Sequence, residues 1–225
     1  MTGDTILILD LGGEQAQLTA RKLRGERFFC EILPSETRAD EIERRAPKGV
    51  VLAGGADGPA ARQADPCALM LGIPVLAMGY GARLMAVSLG GQLLGTQIER
   101  RTAQIAFSDS PLFDGLGESE RYFDRVDSVE LPEGFSPVAY AAGGLVPAFA
   151  SEERKLYALQ FYAESNDPDG LQMLANFAGG ICGCEPWWSM EAFAERAVED
   201  IRNTVGDESA LIAISGGVDS SVCAA

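Results

Sequence analysis

The chain alternates short, wholly apolar runs with segments of helical spacing. Residues 5–9 form a continuous apolar run closed by Asp10 and the Gly12–Gly13 pair. A run without polar alternation predicts a strand buried on both faces, as in a parallel sheet. Residues 14–23 then carry Ala16, Ala20 and Leu23 at helical spacing. A second strand is predicted over 28–33 and a short charged helix over 40–45. Residues 49–53 read as a third strand ended by Gly54 and Gly55, and residues 73–78 as a fourth ended by Gly79-Tyr80-Gly81. Residues 82–89 are helical and stop at Gly90–Gly91. Strands alternating with helices at this interval predict βαβ units with right-handed crossovers and a mostly parallel sheet.

The pattern changes between residues 103 and 160. Short β-type segments at 138–142, 146–150 and 156–160, joined by turns such as Leu131-Pro132-Glu133-Gly134, predict an antiparallel or mixed extension of the sheet. A helix follows over 168–177, broken by Gly179–Gly180. After Cys184 the organisation shifts again. Residues 190–204 form a charged amphipathic helix, and residues 210–214 read as a fresh strand leading into Ser215-Gly216-Gly217-Val218-Asp219-Ser220-Ser221. One strand, one loop and the first turn of a helix cannot bury a core alone. Residues from about 186 onward therefore read as the start of a second domain.

Composition narrows the chemistry. The 225 residues are 47% hydrophobic and 23% charged, an ordinary globular balance. Lys and Arg number 18 against 33 Asp and Glu, a formal charge of -15. That argues against nucleic acid or an anionic membrane as partner, since both select a basic footprint. There are no histidines, which excludes Ser-His-Asp and Cys-His triads within this chain. Cys30, Cys67, Cys182, Cys184 and Cys223 are odd in number and irregular in spacing, which fits reduced thiols in a cytoplasmic protein. Neither a signal peptide nor an apolar run of membrane-spanning length is visible.

Two segments carry candidate chemistry. In the Ser215–Ser221 loop, two glycines would let backbone N–H groups approach a phosphate, and three serines would supply hydroxyls. It is not a Walker loop, because no Gly-Lys-Ser/Thr follows. The second segment is the strand–turn–helix at 78–81, the geometry of a nucleophile elbow. Its apex is Gly79, which has no side chain to attack with.

Several stretches together resemble the GMP synthase family. These are residues 6–10 with 17–21, 46–55, 72–76, 84–86 with 89–91, 110–113, 131–135, 152–157, 160–161 and 181–184, with the serine–glycine loop at 215–221. The resemblance spans essentially the whole chain. It implies a flavodoxin-like class I glutamine amidotransferase domain over 1–184. Residues 185–225 would then be a connector helix and the first strand and loop of an ATP pyrophosphatase domain of adenine-nucleotide α-hydrolase type. In that family the first domain makes ammonia from glutamine, and the second uses it to aminate adenylated xanthosine monophosphate.

The departures from the family pattern fall on its chemistry. The nucleophilic cysteine corresponds to Gly79, the substrate-holding glutamine to Arg83 and the general-base histidine to Tyr162. The orienting glutamate persists as Glu164, and Gly54 and Gly55 would still shape the oxyanion hole. The family's Ser-His-Gly-Asp becomes Phe123-Asp124-Arg125-Val126. These groups act as a unit, so the expectation is a glutaminase site without activity. The protein would be part of a GMP-synthase-like ligase fed by ammonia from another subunit or from solution. The need for ATP and Mg²⁺ would arise only once the pyrophosphatase domain, in the same chain or a separate subunit, is complete. The alternative is a stand-alone, non-catalytic pseudo-amidotransferase module with a binding role.

The remaining candidates are weaker. Arg83 could hold a small anion in the old glutamine pocket, or be an ion-paired arginine. Cys182-Gly183-Cys184 lacks the second pair a metal site needs and reads as structural thiols. Residues 165–170 resemble the start of a calcium loop, but Asn176 stands where the bidentate glutamate belongs. Trp187–Trp188 reads as packing rather than a ligand platform.

Overall fold

The apolar runs are buried on both faces, and that burial fixes the sheet. The computed structural model describes residues 4–54, 65–164, 168–209 and 211–224. The chain divides into two units, residues 2–188 and residues 189–225.

In the first unit, β1 (Ile6–Asp10), β2 (Cys30–Pro34), β3 (Gly49–Ala53), β4 (Val75–Met78) and β9 (Leu156–Leu159) lie parallel. β5 (Gln92–Phe107), β6 (Ser119–Glu130), β7 (Ser136–Ala141) and β8 (Leu145–Ser151) extend them through antiparallel pairings. Among the described residues the sheet has nine strands, in the order β2-β1-β3-β4-β9-β8-β7-β5-β6. Alternate residues of each parallel strand feed opposite cores, as the two-residue period of a strand requires. Ile6, Ile8, Val51, Leu76 and Met78 pack with α1 (Gln15–Gly25) and α4 (Pro168–Ala175). Leu7, Leu9, Val50, Leu52, Val75 and Ala77 pack with Ala82, Met85 and Ala86 of α3 (Tyr80–Ser88). The short α2 (Ala39–Arg45) buries only Ile42.

The mixed α/β architecture agrees with the expectation, but three local features differ from it. The long β5–β6 hairpin is not foreseen from sequence. Residues 92–96 and 100–102 of β5 are exposed, so no apolar alternation marks the strand. Past Ala175, the helix continues as a π-helical turn (Asn176–Ile181) rather than breaking at Gly179–Gly180, and Cys182 N–H closes it onto Phe177 O at 2.9 Å. The strand expected at 210–214 does not form. Ala210 lies outside the described residues, and residues 211–214 are irregular, with Leu211 99% exposed. A lone strand has no neighbour for its backbone groups, so apolar sequence alone cannot hold it extended.

In the second unit, Ser189 caps α5 (Met190–Val205) by accepting the Ala192 N–H at 3.0 Å. Neither α5 nor α6 (Val218–Ala224) buries a residue. Met190, Ile201, Ile214, Val218 and Val222 are exposed.

Candidate functional site

The elbow is built as the sequence predicts. Gly79 follows β4 and caps α3 with φ 55° and ψ -114°, a conformation open to glycine and strained for any other residue. The Gly79 N–H donates to Leu159 O at 2.8 Å, and the Tyr80 N–H to Gly54 O at 3.3 Å. These bonds hold the turn at the carboxyl ends of β3, β4 and β9, where ligands bind in open α/β sheets. Gly54 packs so closely on Leu11 that a side chain there would meet Leu11 Cα at 2.9 Å. Gly55 lies outside the described residues.

The space above the elbow is occupied. A Cβ placed on Gly79 would run into the Tyr162 ring, with Cζ at 2.6 Å and Oη at 2.7 Å. Tyr162 follows β9, and its ring fills the volume that a side chain at residue 79 would need. The crevice bounded by Gly79, Tyr80, Arg83, Asp124, Arg125, Gln160 and Tyr162 retains a cavity of only about 10 Å³. That is room for one water at most.

Arg83, on the first turns of α3, reaches Asp127 (Nη1 to Oδ2, 3.5 Å) and lies over the Tyr80 ring at 5.3 Å. Asp127 is buried and also accepts from Arg125 Nε at 2.7 Å and Thr96 Oγ1 at 2.8 Å. Of the two readings of Arg83, the ion pair is the one formed. The buried Asp127 carboxylate supplies a negative charge beside the guanidinium. Asp124 pairs with Arg100 at 3.6 Å.

Glu164 is buried, with Oε2 lacking a hydrogen-bond partner. Burial pushes its carboxyl up to about 7, against a smaller opposing backbone hydrogen bond.

The thiols are quiet. Burial pushes Cys30 up to about 11 and Cys184 up to about 12, and it raises Cys182 as well. Such thiols are poor nucleophiles at neutral pH. Among the described residues, no cluster of three or more His, Cys, Asp or Glu could hold a metal. Asp167 of the calcium-like segment lies outside the described residues, while Asp169 accepts from Ser119 Oγ at 2.6 Å and pairs with Arg121 at 3.1 Å. Trp187 packs on Phe29 at 5.4 Å, and Arg24 lies over Trp188 at 5.9 Å.

A larger cavity of about 490 Å³ lies away from the elbow, between residues 107–116 and the π-helical turn. Three of its polar side chains are used internally. Ser108 Oγ donates to Val138 O, Ser110 Oγ to Glu152, and Asn176 Nδ2 to Leu112 O and Asp114 O.

In the second unit, the serine–glycine loop folds on itself. Gly216 takes φ 83°. The Ser215 N–H donates to Ser220 Oγ at 3.2 Å, the two hydroxyls lie 3.1 Å apart, and Ser221 Oγ donates to Gly217 O at 2.8 Å. Val218 and Asp219 open α6 and are exposed.

Comparison with known proteins decides the family. The profile of the glutamine amidotransferase class-I family matches residues 7–180. The chain belongs to that family. Among curated proteins, it is 40% identical over 232 residues to a GMP synthase [glutamine-hydrolyzing] of Acetivibrio thermocellus, covering 100% of this chain and 45% of that protein. It is 38% identical over 229 residues to the GMP synthase [glutamine-hydrolyzing] of Clostridium novyi, covering 98% and 45%. The chain thus spans less than half the length of these relatives. The resemblance to GMP synthase read from the sequence is borne out. Among solved structures, the fold matches a protein of Thermoplasma acidophilum assigned as a GMP synthase subunit, with a TM-score of 0.65 at 22% identity over 89% of this chain and 99% of that one. A glutamine amidotransferase of Thermotoga maritima matches with a TM-score of 0.58 at 17% identity, covering 90% and 95%. Within this class-I amidotransferase fold, the turn after β4 carries Gly79 and the segment after β9 carries Tyr162. The sequence alone does not show the approach of Tyr162 to residue 79, nor Asp127 as a partner of Arg83. No described helix is long and apolar enough to cross a membrane.

Proposed function

We propose that this chain is the amidotransferase part of a GMP-synthase-like ligase whose glutamine site is closed and does not hydrolyse glutamine. The observation that carries this reading is the overlap between the Tyr162 ring and any side chain at residue 79. Acyl transfer from glutamine needs a nucleophile, a base and a pocket for the carboxamide. Gly79 supplies no nucleophile, Tyr162 stands in place of the base, and about 10 Å³ cannot hold the substrate. Glu164, with its acidity weakened by burial, has no imidazole to orient.

The synthetase reaction would belong to an ATP pyrophosphatase domain that begins within residues 185–225 and whose remainder is supplied by the same chain or a separate subunit. That domain would join the xanthine carbonyl oxygen of xanthosine monophosphate to AMP and release pyrophosphate. Ammonia would then displace AMP to give GMP. Ser215, Gly216, Gly217, Asp219, Ser220 and Ser221 would hold the pyrophosphate end of ATP with its Mg²⁺. The left-handed turn at Gly216 and the clustered hydroxyls of Ser215 and Ser220 fit such a role. Ammonia would arrive from another subunit or from solution. The free thiols of Cys30, Cys182, Cys184 and Cys223 fit a cytoplasmic setting.

The test is GMP formation from xanthosine monophosphate and ATP by the protein together with its pyrophosphatase domain. Ammonium is expected to support the reaction and glutamine is not. Equal support by glutamine contradicts the reading.

A further inference from the structure

A connected set of polar side chains lies at the crevice beside Gly79. Asp127 of β6 is its hub. Oδ1 accepts from Thr96 Oγ1 of β5 at 2.8 Å and from Arg125 Nε of β6 at 2.7 Å, and Oδ2 faces Arg83 Nη1 of α3 at 3.5 Å. The backbone of the same residue is read by Gln160, just past β9. The Asp127 N–H donates to Gln160 Oε1 at 2.9 Å, and Gln160 Nε2 donates to Asp127 O at 3.0 Å. Gln160 Nε2 also donates to Val146 O of β8 at 2.9 Å. One buried carboxylate and one buried amide thus touch α3, β5, β6 and β8 at once.

These contacts cross the seam of the sheet. On one side, β9 continues the parallel strands through β4; on the other, β8 begins the antiparallel extension. Backbone ladders join each strand only to its immediate neighbours, and β6 sits at the far edge of the sheet. The side-chain hub gives that edge hairpin a direct tie to α3 and to the end of β9. A carboxylate removed from water is tolerable only when its oxygens are matched by donors, and Asp127 has donors on both oxygens.

We infer that the former glutamine crevice now works as a structural junction, centred on Asp127, that clamps helix α3 and the edge hairpin β5–β6 to the parallel core. This goes beyond the proposed function. It concerns what these residues do in the folded chain and does not depend on whether glutamine is hydrolysed.

Amide hydrogen exchange on the full chain tests it. In Asp127→Ala, amides of α3 and of residues 92–102 and 119–130 are expected to exchange at least about tenfold faster, with β1, β2 and β3 unchanged, because the loss is regional. Should that variant fail to fold, Thr96→Val removes one donor and keeps the side-chain shape. It is expected to give the same regional pattern at about two- to tenfold. Unchanged exchange in both variants, or acceleration spread evenly over β1–β3 as well, overturns the inference.

Discussion

The elbow at Gly79 and the loop at Ser215–Ser221 fail and succeed in opposite ways. The elbow keeps its scaffold: a buried strand, a left-handed turn at φ 55° and a helix whose inner face is covered. Its apex, Gly79, is bare, and the Tyr162 ring fills the space above it. The loop keeps its side chains, with Ser215, Gly216, Gly217 and Ser220 in place, yet no residue of α5 or α6 around it is buried. Chemistry and scaffold are separable in a motif, and each can persist without the other. A sequence pattern reports the residues, while the packing around them decides whether they can be used.

The contrast can be broken most forcefully at the elbow. Gly79→Cys should destabilise the chain by about 2–4 kcal/mol, combining overpacking against Tyr162 with a strained backbone. Urea unfolding measures it. Adding Tyr162→Ala should recover about half of the loss, because the overlap disappears and the strain stays. Simple additivity of the two substitutions would show that Tyr162 is not the obstacle.

Glu164 gives the next effect, and its sign is opposite to that of an ordinary salt-bridged carboxylate. Its folded value of about 7 exceeds the reference of 4.5, so the folded state binds a proton that the unfolded state has released. Stability is then full below pH 4.5 and falls as the pH rises toward 7, by about 2–3 kcal/mol. Glu164→Gln should match the parent near pH 4 and exceed it by that amount at pH 8 in paired denaturation curves. A difference that stays constant with pH contradicts the burial argument.

Ser189→Ala sharpens the other side of the comparison. Removing the cap that accepts Ala192 N–H should weaken α5 by about 1 kcal/mol, seen as faster amide exchange in its first turn. The smallest effect is expected for Ser220→Ala. It touches only loop contacts, so the unfolding midpoint of the first unit should shift by no more than about 0.5 kcal/mol equivalent.

How much of this was legible in the sequence follows from burial. β1, β3 and β4 could be read directly, because strands covered on both faces must be apolar throughout. The β5–β6 hairpin could not, since its exposed residues include Arg100, Arg101 and Thr102 and carry no alternating signal. The apolar run at 211–214 misled for the converse reason: its residues suit a strand, but no described strand pairs with them. At the site, Gly79 at the turn and Tyr162 after β9 were visible residue by residue. The Gly79–Tyr162 overlap and the Arg83–Asp127 pair were not, because they join positions far apart in sequence that only the sheet brings together.

The most direct test of the closed site is a time course of ammonia release from glutamine by the purified protein. The account predicts a rate indistinguishable from the enzyme-free blank at every glutamine concentration. Release that saturates with glutamine would contradict it, and would require Tyr162 to leave the elbow and another group to serve as nucleophile.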